Sequence, residues 1–197
     1  MEAIDIVRRQ VADSAAAKQA LLEDEATLEK IALAAQKCTE SYRNGGKVLF
    51  AGNGGSAADA QHFAGELVSK FYFNRPGLPS IALTTDTSIL TAIGNDYGFE
   101  RLFARQVEAQ GVKGDVFVGI STSGNSANIV EALKTCREMG IFTVGLTGSK
   151  ACKMDELCDL VIKAPSPETP RIQECQTLIG HILCCIIEEN IFGHLNK

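Results

Sequence analysis

The stretch VLFAGNGGSAADAQHFAGE, residues 48–66, passes from an apolar run through a glycine-rich turn into a segment with helical spacing. An apolar run that is rich in branched residues is typical of a buried strand, and glycines allow a tight turn after it. The polar and small residues that follow suit a helix start. The stretch therefore predicts one strand–turn–helix unit, with its turn at the carboxyl end of the strand.

Four further apolar runs follow at intervals that leave room for helices. With the first, they are residues 47–52, 79–85, 115–120, 142–148 and 159–164. Runs that are apolar at nearly every position suit a sheet buried on both faces, and alternation with helices suits parallel strands. The sequence predicts a three-layer α/β/α sandwich with a mostly parallel, doubly wound, five-stranded sheet.

Helical patterns flank this α/β region on both sides. Two amphipathic segments fill residues 1–45 and end at Gly45 and Gly46, and an apolar helix spans about residues 171–192. With no linker and no internal repeat, we expect a single domain over residues 1–197. The exposed amphipathic pair and the apolar closing helix predict buried partner surface, with the N-terminal pair used in oligomerisation. Packing of these helices within one subunit is the alternative.

The overall composition favours a soluble cytoplasmic protein. The net charge of −5 argues against nucleic acid as a main partner, because a basic face would be expected. The seven cysteines show no metal-binding spacing and suit small apolar core residues that stay reduced. The N-terminus lacks a signal-peptide pattern, and the most apolar segment, residues 182–187, is far shorter than a membrane span.

The spacing G-x-G-x-x-A at Gly52, Gly54 and Ala57 raises the possibility of a dinucleotide site. Such a site needs an acidic residue about twenty positions later to hold the ribose, and Asp86 comes too late, after the next strand. No G-x-x-x-x-G-K-[ST] motif occurs either. We therefore disfavour nucleotide binding at this turn.

A second turn, in GISTSGNSANIVEAL from residue 119, carries three serines and a threonine within six residues. Hydroxyl donors beside the free N–H groups of a helix start can bind a phosphate without a lysine. A serine N-cap is the simpler alternative, but one hydroxyl would satisfy it. We favour a phosphate site at Ser121, Thr122, Ser123 and Ser126.

The residues with acid–base or metal-binding chemistry lie on two helices. His62 and Glu66 are four residues apart and so share a helix face, and Gln173 and His181 are about two turns apart on the last helix. Two satisfied polar core residues and a surface pair are the alternative interpretation. Together, however, the two histidines and the glutamate form a set that zinc accepts, with Gln173 as a weaker oxygen ligand. His194 has no such neighbours and is expected at the surface.

Four segments together resemble the sedoheptulose-7-phosphate isomerase (phosphoheptose isomerase) family of the sugar-isomerase (SIS) domain group. They are AGNGGSAADAQHFAGEL, TAIGNDYGFE, GISTSGNSANI and TPRIQECQTLIGHIL, and the resemblance covers nearly all of the chain from about residue 24. It implies an SIS-type fold, a cytoplasmic homotetramer whose active sites combine neighbouring subunits, and one zinc ion per subunit. It also implies interconversion of sedoheptulose 7-phosphate and glycero-manno-heptose 7-phosphate, the first step towards the heptose of lipopolysaccharide or related surface sugars.

The resemblance also assigns roles to individual residues. The implied zinc ligands are His62, Glu66, Gln173 and His181. The implied substrate contacts are Asn53, Gly54, Gly55, Ser56, Glu66, Asn95, Asp96, Ser121, Thr122, Ser123, Ser126 and Gln173. The reaction needs a base for a carbon-bound proton and an acid for the carbonyl oxygen. We assign these roles to Glu66 and His181 as a hypothesis.

Two other functions compete with this interpretation. Some relatives keep the sugar-phosphate fold but are non-catalytic binding proteins, including one that associates with the bacterial replication initiator, and these lack equivalents of Glu66 and His181. Both residues are present here, which favours the enzyme. An isomerase or regulator acting on a different sugar phosphate is the second alternative, which the turn motifs alone do not exclude.

Overall fold

A computed structural model describes residues 2–195 of the chain, and all five predicted strands form one sheet. The strands are β1 (Val48–Gly52), β2 (Ser80–Ala82), β3 (Val116–Ile120), β4 (Phe142–Thr147) and β5 (Leu160–Lys163). Their order is β2-β1-β3-β4-β5, and all four neighbouring pairs are parallel. The predicted parallel sheet is therefore confirmed.

Helices cover both faces of this sheet. They are α1 (Ala3–Glu23), α2 (Glu25–Arg43), α3 (Gly55–Val68), α4 (Thr87–Asp96), α5 (Ala104–Gln110), α6 (Ala127–Met139), α7 (Met154–Leu157) and α8 (Thr169–Phe192). Helices α2, α3 and α8 share a core with one face of the sheet. Helices α4 to α7 pack in a second core against the other face. This arrangement is the predicted doubly wound, three-layer sandwich.

The apolar runs form strands because successive side chains point into different cores. In β1, Val48 and Phe50 belong to the core of α2, α3 and α8, whereas Leu49 and Ala51 belong to the opposite core. Every residue of β1 is buried. A strand with both faces covered needs apolar residues throughout, which explains the lack of alternation in the sequence.

The order of the strands places both sequence-predicted turns at the same edge of the sheet. Strands β1 and β3 are neighbours in register, with Gly52 opposite Ile120. The glycine turn leaves β1 and the serine turn leaves β3 at adjacent carboxyl ends. In open α/β sheets, ligands bind where neighbouring crossovers diverge in this way.

The N-terminal segment forms the predicted helical pair. The side chain of Asp24 accepts a hydrogen bond from the backbone N–H of Thr27 at 3.1 Å, so Asp24 caps the start of α2. Among the described residues, α1 buries two side chains, Ala17 and Leu21. Apart from the half-buried Ser14 and Lys18, the rest of α1 is exposed. The role of the pair in oligomerisation stays a prediction.

Helix α8 is longer than the apolar segment of residues 182–187 suggests. By length and composition alone, the helical stretch Thr169–Leu195 could cross a membrane, a test that core helices of soluble proteins also pass. Here α8 packs against α2 and α3 and contributes Ile179, Leu183 and Ile187 to the core.

Within residues 2–195 all seven cysteines are free thiols. Burial raises the pKa of the Cys38 and Cys158 thiols to about 12, so both stay protonated near neutral pH. Four of the seven are fully buried, in agreement with the expectation that they act as small apolar core residues.

Candidate active site

Helices α3 and α8 lie side by side and carry the candidate catalytic residues. Each follows a strand of the parallel sheet and returns across the same face, so the two helices run in the same direction. Gly180 allows their close approach, because a Cβ at this position would occupy the ring of Phe63 on α3. The glycine thus sets the separation of the two helices near His62 and His181.

The structure brings His62, Glu66 and His181 together. The Nε2 atom of His62 lies 3.0 Å from Oε1 of Glu66 and 3.3 Å from Nε2 of His181. One ligand atom from each of the three residues lies within 4.8 Å of the others. The i, i+4 spacing on α3 supplies the first contact, and the long-range packing of α8 supplies the second.

The donor atoms of this group suit a divalent metal ion. Two imidazole nitrogens and a carboxylate oxygen converge on one region, and the two imidazole rings meet edge to face with centroids 4.8 Å apart. Zinc accepts this combination of nitrogen and oxygen ligands, and an open position suits a catalytic site. The side chain of His62 is 43% exposed and that of Glu66 is 26% exposed, so a small ligand can reach the group.

Asp59 and Thr177, which sequence reasoning did not single out, also link α3 to α8. The hydroxyl of Thr177 donates to Oδ1 of Asp59 at 2.9 Å. Asp59 lies three residues before His62, and Thr177 lies four residues before His181, so helical spacing was the available signal. Burial raises the pKa of Asp59, although the Thr177 hydrogen bond and the two histidines act in the opposite direction.

Gln173 lies at the start of α8, away from the histidine–glutamate group. Its side-chain amide occupies the space beside Gly55, where a Cβ would sit. The eight residues from Gln173 to His181 span about 12 Å along the helix axis. The role of Gln173 as a fourth metal ligand stays a prediction.

The glycine turn is tied to the neighbouring crossover by a pair of amides. Asn53 and Asn128 exchange two hydrogen bonds, at 2.9 and 2.8 Å. Gly54 has φ of +57°, a conformation that side chains disfavour, and Ser56 is buried in the first turn of α3. The predicted substrate contacts at the glycine turn therefore sit on a rigid loop that opens α3.

The serine turn forms the cluster of hydroxyls that the sequence predicts. The Oγ atoms of Ser121 and Ser126 are 2.9 Å apart, and Oγ of Ser123 accepts from the backbone N–H of Asn125 at 3.2 Å. Ser126 is the N-cap residue of α6, yet its side chain makes no capping hydrogen bond. Because its hydroxyl joins the cluster instead, the simpler N-cap interpretation does not account for this turn.

Two cavities border the serine turn. One, of about 260 Å³, is lined by Thr122 and Ser123 together with Lys150 and Ile172. The other, an open groove of about 640 Å³, includes Asn53 of the glycine turn and Ser126. The two turns therefore face shared space large enough for a phosphorylated ligand.

Asn95 and Asp96 stand apart from both groups. They are exposed at the C-terminal end of α4, where the amide of Asn95 donates to Oδ1 of Asp96 at 2.8 Å. Their role in substrate binding stays a prediction. His194 is exposed, as expected.

Comparisons with known proteins show which family the chain resembles. The SIS domain family matches residues 11–148. A phosphoheptose isomerase from Aneurinibacillus thermoaerophilus is 62% identical over 188 residues, which are 95% of each chain. The solved phosphoheptose isomerase from Neisseria gonorrhoeae is 44% identical, with a TM-score of 0.90 over 95% of this chain and all of that one. The corresponding structure from Francisella tularensis is 38% identical, with a TM-score of 0.92 over 96% of this chain and all of that one.

Proposed function

The chain belongs to the phosphoheptose isomerase family of SIS-domain proteins, and from this membership we propose how its residues catalyse the reaction. The protein is an isomerase that interconverts sedoheptulose 7-phosphate and glycero-manno-heptose 7-phosphate. The observation that carries this function is the convergence of His62, Glu66 and His181 in a chain that is 62% identical to a phosphoheptose isomerase. A non-catalytic regulator is not favoured, because both acid–base residues are present.

A panel of phosphorylated ketoses, incubated with the protein and followed by product identification, tests the substrate assignment. We expect turnover of sedoheptulose 7-phosphate and little turnover of ketohexose 6-phosphates or N-acetylated amino-sugar phosphates. Preferred turnover of one of these other sugar phosphates would overturn the assignment. Binding of all of them without turnover would favour the regulator.

Isomerisation moves a proton between C1 and C2 of the sugar through a cis-enediol. We assign Glu66 as the base that removes a proton from C1 of the ketose, while His181 donates a proton to the O2 carbonyl oxygen. The O1 hydroxyl then returns a proton to His181, and Glu66 delivers its proton to C2 to give the aldose. Each group ends the cycle in its starting protonation state.

We propose that the metal is zinc, one ion per chain, held by His62, Glu66 and His181. When bound, zinc supplies Lewis-acid polarisation of the sugar carbonyl. A carboxylate that is fully engaged with a metal is a weaker base, so Glu66 must keep one oxygen available for the proton. For the same reason His181 must donate its proton from the ring nitrogen that does not bind the metal. The partial exposure of its side chain is compatible with this double role.

Removal of zinc is expected to abolish most of the isomerase activity. Dialysis against a chelator should yield metal-free protein, and back-titration should restore the rate at about one zinc per chain, as measured by elemental analysis. His62→Asn should retain less zinc under the same dialysis. An unchanged rate in protein shown to be metal-free would exclude a catalytic role for zinc.

We propose that the serine turn binds the phosphate of the substrate. Ser121→Ala/Ser126→Ala removes two hydroxyls from the cluster at the start of α6. Each hydrogen bond to a charged group contributes about 1.5–3 kcal/mol, so we expect kcat/KM to fall about 100-fold or more, mainly through KM. The exposed Ser88 on α4 provides a control, since Ser88→Ala should leave both constants unchanged. An unchanged KM in the double variant would contradict the assignment.

We also propose that the active protein is a homotetramer with shared active sites. Helix α1 exposes an apolar stripe that includes Ile4 (47%), Val7 (54%) and Val11 (65%). An exposed apolar stripe of this kind supports a contact with another chain. From Gly55 at the start of α3, the eleven residues to Glu66 span about 16 Å along the axis. This distance separates the glycine turn, and with it the adjacent serine turn, from the base. A neighbouring copy can bring the two halves to one substrate.

Mixing two inactive variants tests this sharing. Glu66→Gln oligomers and Ser121→Ala/Ser126→Ala oligomers are dissociated together and reassembled. If each site takes its base and its serine turn from different chains, random assembly should restore roughly a quarter of the wild-type sites. Activity no greater than the sum of the two separate variants would contradict shared sites.

We place the reaction in the cytoplasm, where the seven free thiols stay reduced. As the family resemblance implies, we further propose that the product supplies the heptose of lipopolysaccharide or a related surface sugar.

A further inference from the structure

Arg75 and Glu188 form a buried ion pair next to the segments that carry the candidate base and acid. The side chain of Arg75 is fully buried and that of Glu188 is 1% exposed, with Nε of Arg75 donating to Oε1 of Glu188 at 2.9 Å. Arg75 lies in the segment of residues 69–79, which joins α3 to β2. Glu188 lies on α8, seven residues and about two turns after His181.

Arg75 holds the end of the helix that carries the base. Its Nη2 donates to the backbone carbonyl of Glu66 at 2.9 Å, and its Nη1 donates to the carbonyls of Leu67 and Pro76 at 2.6 and 3.0 Å. The last carbonyls of a helix have no partners within the helix, and a cation there is favourable. The guanidinium therefore fixes the backbone of Glu66 directly.

Glu188 holds the segment that packs against the acid. Its two carboxylate oxygens accept the backbone N–H groups of Phe71 at 2.8 Å and Tyr72 at 2.6 Å. The ring of Phe71 then lies against the imidazole of His181, with centroids 5.6 Å apart. Burial favours a higher pKa for Glu188, but the bonds from Phe71, Tyr72 and Arg75 outweigh it and leave this pKa lowered.

A buried ion pair is not by itself evidence of a contribution to stability. Two buried charges lose their hydration, and apolar residues of similar volume often stabilise a fold as well or better. Here Arg75 instead bonds the backbone carbonyls at the end of α3, including that of Glu66, and Glu188 bonds the backbone N–H groups of Phe71 and Tyr72. The arrangement supplies fixed geometry at the two residues that must meet the same sugar carbons.

We propose that Arg75 and Glu188 are positioning residues for the isomerase reaction. Arg75 bonds the backbone carbonyl of Glu66, and Glu188 bonds the backbone N–H of Phe71, whose ring contacts His181. These contacts hold the base, the acid and the metal ligands in place before substrate binds. The inference rests on the proposed roles of Glu66 and His181. It assigns a function to a pair whose side chains are buried.

Glu188→Gln tests the proposal at nearly constant side-chain volume. Outer residues that orient metal ligands typically change affinity or activity 10–100-fold, so we expect kcat to fall about 10-fold or more while KM stays within about twofold. Zinc affinity, measured by competition with a chromophoric chelator and without substrate, should weaken about 10-fold. All measurements are made well below the unfolding temperature of each variant.

Asp115→Asn provides a matched control at the amino ends of β1 and β3. The buried Asp115 carboxylate also accepts two backbone N–H groups, those of Lys47 and Val112, and pairs with the Lys47 ammonium at 2.7 Å. Its loss should lower the unfolding temperature comparably while kcat and zinc affinity stay near wild type. If both variants lose kcat and zinc affinity in proportion to lost stability, the proposal is overturned.

Phe71→Leu tests the contact from Glu188 through Phe71 to His181 without breaking the ion pair. We expect a lower kcat with an unchanged KM, and weaker zinc binding. Wild-type values for both constants would overturn the role of Phe71. Zinc affinity is measured without substrate, so it tests the positioning proposal independently of the isomerase assignment. Failure of that assignment would instead appear as absent turnover in the wild-type protein.

Discussion

Glu66→Gln is expected to lower kcat about 1,000-fold while the unfolding temperature changes little. General acid–base catalysis typically contributes 10²–10⁴-fold, and a factor of 1,000 corresponds to about 4 kcal/mol in the activation free energy. Glutamine has nearly the same shape, and the side chain is only half-buried, so the fold should tolerate the change. The rate of product formation and the exchange of the carbon-bound proton with deuterated solvent measure the loss.

Two measurements separate the base from the metal ligand at this position. If Glu66→Gln retains zinc and binds substrate but shows no solvent exchange, the missing step is proton abstraction. The carboxylate of Glu40 on α2, paired with Lys37 at 2.8 Å, offers a control, and Glu40→Gln should leave kcat unchanged. A near-normal isomerase rate in Glu66→Gln with bound substrate would show that another group is the base.

Gly180→Ala is expected to destabilise the protein strongly for a change of one methyl group. The new Cβ would occupy the ring of Phe63, which is 1% exposed and packs edge to face on Phe50. Overpacking typically costs about 1–3 kcal/mol, and we expect a clash with this fully buried ring to lie at the upper end. Alanine recovers about 1 kcal/mol through helix propensity. The net loss of about 2 kcal/mol should lower the unfolding temperature by about 4–8 °C.

The same change should weaken zinc binding, because it pushes His181 away from His62. Gly65→Ala on α3 is the matched control, since a Cβ there meets open space and should be neutral or slightly stabilising. Phe63→Leu, added to Gly180→Ala, should restore part of the stability by making room. Equal unfolding temperatures for Gly180→Ala and Gly65→Ala would contradict the tight contact between the helices.

The sequence predicts the sheet well because burial on both faces leaves a local signature. All five apolar runs became strands, and the runs of helical spacing between them became the covering layers. The sequence also predicts the cluster of hydroxyls at the serine turn, because the turn carries more hydroxyls than a helix cap needs. His62 and Glu66 were paired correctly, because the i, i+4 spacing places both on one face of any helix.

Specific roles for single residues came from the resemblance to a family rather than from spacing. The serine-turn and metal residues were selected by residue type, but the choice of Glu66 as base and His181 as acid was not fixed by periodicity. Gln173 illustrates the limit. Eight residues of helix place it about 12 Å from His181 along the axis, so a shared helix face does not by itself bring both side chains to one metal ion.

What the sequence by itself determined is therefore the set of faces: which residues of each strand and helix turn inward, and which turns carry polar groups. The tertiary structure alone decided how α3 lies against α8, because that offset depends on the fit of Phe63 against Gly180. It also decided the contacts of Arg75 with Glu188, which lie 113 residues apart. Local periodicity fixes the direction of a side chain around its own helix axis, whereas its partner across the interface is selected by packing between distant segments.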